Sequence, residues 1–186
     1  MIDVWSKDNE QMAVKLLRDS LAAGKQARLT ILSGSMTPML RKDEQAIVVA
    51  CAVDELEEGD IVVISAHPHP YTHRYCATIT HEGQQYVITR GDRPLIYDPA
   101  WETERFIGRV IAIEKAERRI DLMSAAGKRL NQRFAQLLKL EERAIGNHQV
   151  DLTSLIGVGF HERDSPPNKV AMRVWRSLFY LYYRLA

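Results

Sequence analysis

The sequence predicts a mainly β protein with one helix before the β region and a helical extension after it. Three observations predict this. Apolar residues Met12, Leu16, Leu17 and Leu21 recur close to helical spacing across residues 6–23, and the pattern stops at Gly24. Six short β-type runs follow, at 29–32, 46–53, 60–66, 72–80, 85–89 and 106–113, with no helical stretch between them. Beyond residue 119 the periodicity is helical again.

The first helix has an acid-rich first turn, Asp8 and Glu10, which suits the positive end of a helix dipole. The β runs are bounded by Ser-Gly-Ser, Glu-Gly-Asp, His-Glu-Gly and Gly-Asp-Arg-Pro, all turn-forming clusters. In the extension, Leu130, Phe134, Leu137, Leu138 and Leu140 form one broad apolar face. Residues 164–168 (Asp-Ser-Pro-Pro-Asn) break it, and Val170, Val174, Leu178, Leu181 and Leu185 form a final stripe. The organisation expected is a helix at 1–27, a β domain at 28–119 and a helical extension at 120–186. Charge divides near the same place. Residues 1–127 hold 15 basic and 19 acidic side chains (net −4), and 128–186 hold 10 and 5 (net +5).

Composition removes several classes of function. With 46% hydrophobic and 26% charged residues in 186, the chain is neither disordered nor of low complexity. Lys and Arg number 25 against 24 Asp and Glu, so there is no bulk attraction for nucleic acid. Two cysteines, Cys51 and Cys76, are too few for a disulfide framework and are expected as buried, reduced thiols. No run approaches the roughly 18 apolar residues of a spanning helix. Acids occupy the start, where a signal peptide needs a basic patch, so a cytoplasmic protein is expected.

Three stretches in the β region carry chemistry. Ser33-Gly-Ser35-Met36-Thr-Pro follows a predicted strand, where a turn would expose a serine hydroxyl. His73 enters a β run 38 residues after Ser35. A serine nucleophile needs such a base, because its own hydroxyl is barely ionised at neutral pH. Residues 91–98 place two carboxylates, Asp92 and Asp98, around a turn, and either could orient an imidazole. Taken singly, each stretch is also an ordinary loop, surface histidine or Asp-capped turn.

Together, in this order, the stretches resemble the type I signal peptidases and the related LexA-like autoproteases. Residues 33–40, S-G-S-M-T-P-M-L, are similar to that family's nucleophile block. Gly59-Asp60-Ile61-Val62-Val63 resembles its Gly-Asp-Ile-Val strand, and Thr72-His73-Arg74 resembles the His-Arg base block of the endoplasmic-reticulum and archaeal type. Arg90-Gly91-Asp92 followed by Asp98 looks like the block carrying its acid, and residues 107–110 look like its closing Gly-x-Val strand. The likeness covers residues 28–115. It implies the complex β fold of that superfamily and a serine endopeptidase without a cofactor or metal. Ser35 would be the nucleophile and His73 the base. Asp98 would orient His73, with Asp92 as the alternative acid or a structural partner. The oxyanion and substrate-binding segment would comprise Ser33, Ser35 and Met36. The partner implied is a peptide or protein substrate cut after a small residue. Arg93 and Pro94 stand where the family has Asn and its next residue, and a charged helix stands where it has a membrane anchor. A catalytically inactive peptide-binding module on the same fold is the alternative.

Other features are weaker. His67-Pro-His-Pro-Tyr-Thr-His73 does not predict a zinc site, since alternating prolines splay the first two imidazoles and no further ligands complete the set. Ala23-Gly24 resembles a self-cleavage dipeptide, but His73 stands where the autoproteases have lysine. Residues 170–186 combine Arg173, Arg176 and Arg184 with Trp175, Phe179, Tyr180, Tyr182 and Tyr183. Such a helix either attaches to a membrane surface or protein partner, or covers the β body.

Overall fold

The computed structural model describes residues 7–66, 69–93, 96–145, 150–158 and Ser177. The stripe and aromatic cluster expected at 170–186, the break at 164–168, and His67, Pro68, Pro94 and Leu95 lie outside the described residues, save Ser177. The protein is mainly β, as expected. Among the described residues, eight strands form one antiparallel sheet, joined by two α-helices.

Helix α1 (Lys7–Ala22) packs Leu21, with Val14 and Leu17, against the core. The expected stripe is partly wrong: Met12 and Leu16 are 55% and 61% exposed. At about 100° per residue, positions 14, 17 and 21 share one face and positions 12 and 16 fall opposite. Arg18 ties the helix to the sheet by donating to the carbonyls of Phe106 and Glu104.

The strands are β1 (Ala27–Thr30), β2 (Gln45–Val49), β3 (Ile61–Ile64), β4 (Tyr71–His81), β5 (Gln84–Arg90), β6 (Trp101–Glu102), β7 (Phe106–Glu114) and β8 (Arg119–Asp121). Their order is β1-β2-β7-β3-β4-β5-β6, with β8 paired to β7. Six correspond to the predicted runs; β6 and β8 are two and three residues long, too short to show an alternating pattern. Strand β3 is buried along its whole length, as its continuous run Ile-Val-Val-Ile requires.

Helix α2 (Ala125–Ile145) places Phe134 and Leu138 in the same core as Met36, Met39, Leu40, Val48, Val63 and Leu122. Leu130 and Leu137 flank that contact, whereas Leu140, expected on the same face, is half exposed. The start of α2 is fixed locally. The Ser124 hydroxyl accepts from Gly127 N–H, and Asp121 accepts from the N–H groups of Met123 and Ser124. Gly127 is required for closeness: a Cβ there would lie 2.1 Å from the Asp121 carbonyl oxygen. Cys51 and Cys76 are free thiols, each partly rather than fully buried.

Candidate active site

The segment carrying Ser33 and Ser35 leaves β1 and turns back before β2. Its apolar residues hold it down: Met36, Met39 and Leu40 are buried in the main core. The backbone closes locally through Thr37 N–H to Gly34 O and Leu40 N–H to Met36 O. Ser33 and Ser35 therefore stand on the outer side of a turn whose inner side is locked by packing.

His73 sits on β4 opposite Val62 of β3 and is 7% exposed. Its Nε2 lies 2.9 Å from Ser35 Oγ, and its Nδ1 lies 2.6 Å from Asp98 Oδ2. An ionised Asp98 can only accept, so Nδ1 carries the proton and Nε2 faces the serine as an acceptor. Ser35 then donates its hydroxyl proton to His73. In its 3.1 Å contact with Ser33 Oγ, Ser33 is accordingly the donor.

Asp98 is placed by β5. Its N–H donates to Thr89 O, and the Thr89 hydroxyl donates to Asp98 Oδ2 at 2.6 Å. Tyr71 stands edge-on to the His73 ring, with centroids 4.6 Å apart, and its hydroxyl lies 3.3 Å from Thr89 Oγ1. Since Thr89 gives its proton to Asp98, Tyr71 donates to Thr89. Neither Thr89 nor Tyr71 stood out in the sequence. The available signal was a threonine closing a strand just before the Arg90-Gly91 turn.

Asp92 does not contact His73, which corrects its place among the catalytic candidates. It is gripped by Arg74 through Nε–Oδ1 at 2.6 Å and Nη2–Oδ2 at 2.7 Å. Arg74 is fully buried, and its remaining donors reach Gly59 O and Asn131 Oδ1 while its guanidinium lies over the Phe134 ring. A buried guanidinium needs a carboxylate partner, and Asp92 is the one within reach. The next residue, Arg93, donates its N–H to Ser35 O at 2.8 Å, so this ion pair braces Ser35 from behind.

Met36 is the second correction. Its side chain is 1% exposed and belongs to the core, so it anchors the turn rather than lining a substrate surface. Among the described residues, no group of three His, Cys, Asp or Glu is placed to hold a metal ion, and no helix is long and apolar enough to cross a membrane.

Burial pushes the Cys76 thiol up to about 12, and burial likewise raises Cys51. Both sulfurs are thus poor nucleophiles at neutral pH. The hydroxyl of Ser35, by contrast, has an imidazole nitrogen in contact with it, the arrangement that activates a serine. Comparison of the chain with protein-family models and with curated proteins returns no match.

Proposed function

We propose that the protein is a serine endopeptidase in which Ser35 is the nucleophile, His73 the general base and Asp98 its orienting acid. The observation carrying this reading is the unbroken hydrogen-bonded chain Ser35–His73–Asp98, built from three separate segments of sequence. Ser35 Oγ attacks the scissile carbonyl carbon while His73 Nε2 takes its proton. The imidazolium, stabilised by Asp98, then protonates the leaving amine as the acyl–enzyme forms. Water, deprotonated by the same nitrogen, releases the acyl group and restores Ser35. The Ser33 hydroxyl, beside Ser35 Oγ, and the Ser35 N–H would supply the oxyanion donors; one such donor lowers the barrier by about 3–4 kcal/mol.

The resemblance to signal-peptidase-like enzymes extends the reading to an extended substrate cut after a small residue. A leader or precursor peptide fits that substrate class. Digesting a diverse peptide library, with cleavage sites read by mass spectrometry, tests it. The wild type should cut after small residues, and Ser35→Ala and His73→Ala should not cut. A wild type that binds library peptides without cutting them would instead be a peptide-binding module.

A further inference from the structure

A groove of about 740 Å³ lies where Arg41, just before β2, meets β8 and the first turns of α2. Arg41, Arg118, Arg119, Arg129 and Arg133 line it, with Asp121 as the acid among them. That charge is concentrated locally: residues 118–133 hold five basic side chains and one acid, in a protein whose net charge is only +1. Asp121 is engaged by the two backbone N–H groups that begin α2. Glu114, 3.5 Å from Arg119, is shared with Arg28 at 3.0 Å. Arg129 and Arg133 are exposed and make no ion pair among the described residues.

We infer that this groove binds an acidic peptide segment in extended conformation. Two features favour that occupant over a compact phosphate. Asp121 sets its own carboxylate at the start of α2, on the N–H groups of Met123 and Ser124, and Gly127 N–H is taken by the Ser124 hydroxyl, so a second anion at this helix N-terminus would meet a fixed negative charge. Two of the arginines instead follow one another along α2. Arg129 and Arg133 are one turn apart along α2, about 6 Å of axial rise. Alternate residues of an extended peptide repeat every 6.6–6.8 Å or so, which brings carboxylates at i and i+2 opposite the two arginines. Each planar guanidinium can then grip a carboxylate through two donors. Among the described residues no aromatic ring lines the groove for base stacking, and a recess of this kind does not match a flat lipid surface. The binding holds whether or not Ser35 cleaves peptides.

The test uses the full-length protein and a fluorescein-labelled Glu-Ser-Glu-Ser-Glu-Ser peptide, followed by anisotropy at low and high salt. A Gln-Ser repeat, a random oligonucleotide and anionic phosphatidylserine vesicles serve as competitors. Binding should weaken with salt, fall at least about tenfold in Arg129→Gln/Arg133→Gln, and persist unchanged in Ser35→Ala. Glutamine maintains helix propensity at both exposed sites, and an unchanged melting temperature verifies that the variant is folded. Failure of the acidic peptide to bind, equal binding by the double variant, or tighter binding of the oligonucleotide or vesicles through the same arginines overturns the inference. Loss of cleavage in Ser35→Ala with binding intact separates this site from the catalytic one.

Discussion

Arg74 and Asp92 form a doubly hydrogen-bonded ion pair with both side chains fully excluded from solvent, one residue along the chain from His73 on β4 and one from Arg93 on the acid loop. The pair joins the strand carrying the base to the loop that touches Ser35. Breaking it should act on stability. Asp92→Asn leaves a buried guanidinium without its counter-charge, at a cost of about 3–5 kcal/mol. A urea melt should show that loss; a stability unchanged from wild type would mean that the pair does not brace the fold.

Asp98→Asn should behave in the opposite way. The amide can keep the shape of the site yet present a donor to His73 Nδ1, forcing the wrong tautomer. Peptide cleavage should drop on the order of 10⁴-fold, with a near-native thermal melt. Comparing Asp92→Asn with Asp98→Asn separates the structural acid from the orienting acid.

The sequence showed two acids on one turn and could not choose between them. The choice depends on Arg74, whose burial only the packed core reveals, since Phe134, Asn131 and Gly59 arrive from distant segments. The six longer strands were legible because apolar β runs and the turn residues that bound them are local signals, whereas Ser35 and His73 stood out only through the resemblance of several stretches taken together. Met36 was misplaced because spacing alone does not say which side of a turn faces the core. Strands β6 and β8 were missed because pairing, not composition, defines segments that short. The exposed face of α1 was misread because an apolar residue need not lie on the buried stripe.

Thr89 should act as a positioning residue. Thr89→Val removes the hydroxyl that donates to Asp98 while maintaining the branched shape in a fully buried site. A hydrogen bond to a charged group is worth about 1.5–3 kcal/mol, so kcat should fall at least about tenfold with KM little changed. Thr89→Ser should restore most of it. A purely structural role would lower the melting temperature instead and leave kcat alone.

Gly59 has φ of +99°, and a Cβ there would come within 2.7 Å of Asn131 O on α2. Gly59→Ala should therefore destabilise the protein by at least about 2 kcal/mol, through backbone strain and displacement of α2. Chemical denaturation measures this directly, and a neutral result would mean that α2 can shift freely away from β3.

The Cys76 thiol, raised by desolvation from 9.0 to about 12, should stay protonated and resist iodoacetamide at pH 8 in the folded protein. The unfolded chain ionises near 9 while the folded one does not, so the contribution of this thiol to stability declines as pH rises from about 9 to about 12. Mass spectrometry after alkylation, with and without denaturant, checks the first point. Peptidase activity should survive the same treatment.

The most direct measurement is fluorophosphonate labelling followed by peptide mapping. Wild-type protein should form a single adduct on Ser35, the hydroxyl in contact with His73. Ser35→Ala should not react, and His73→Ala should react far more slowly. Absence of an adduct on the folded wild type, or labelling that proceeds as fast without His73, would contradict a serine nucleophile activated by that histidine.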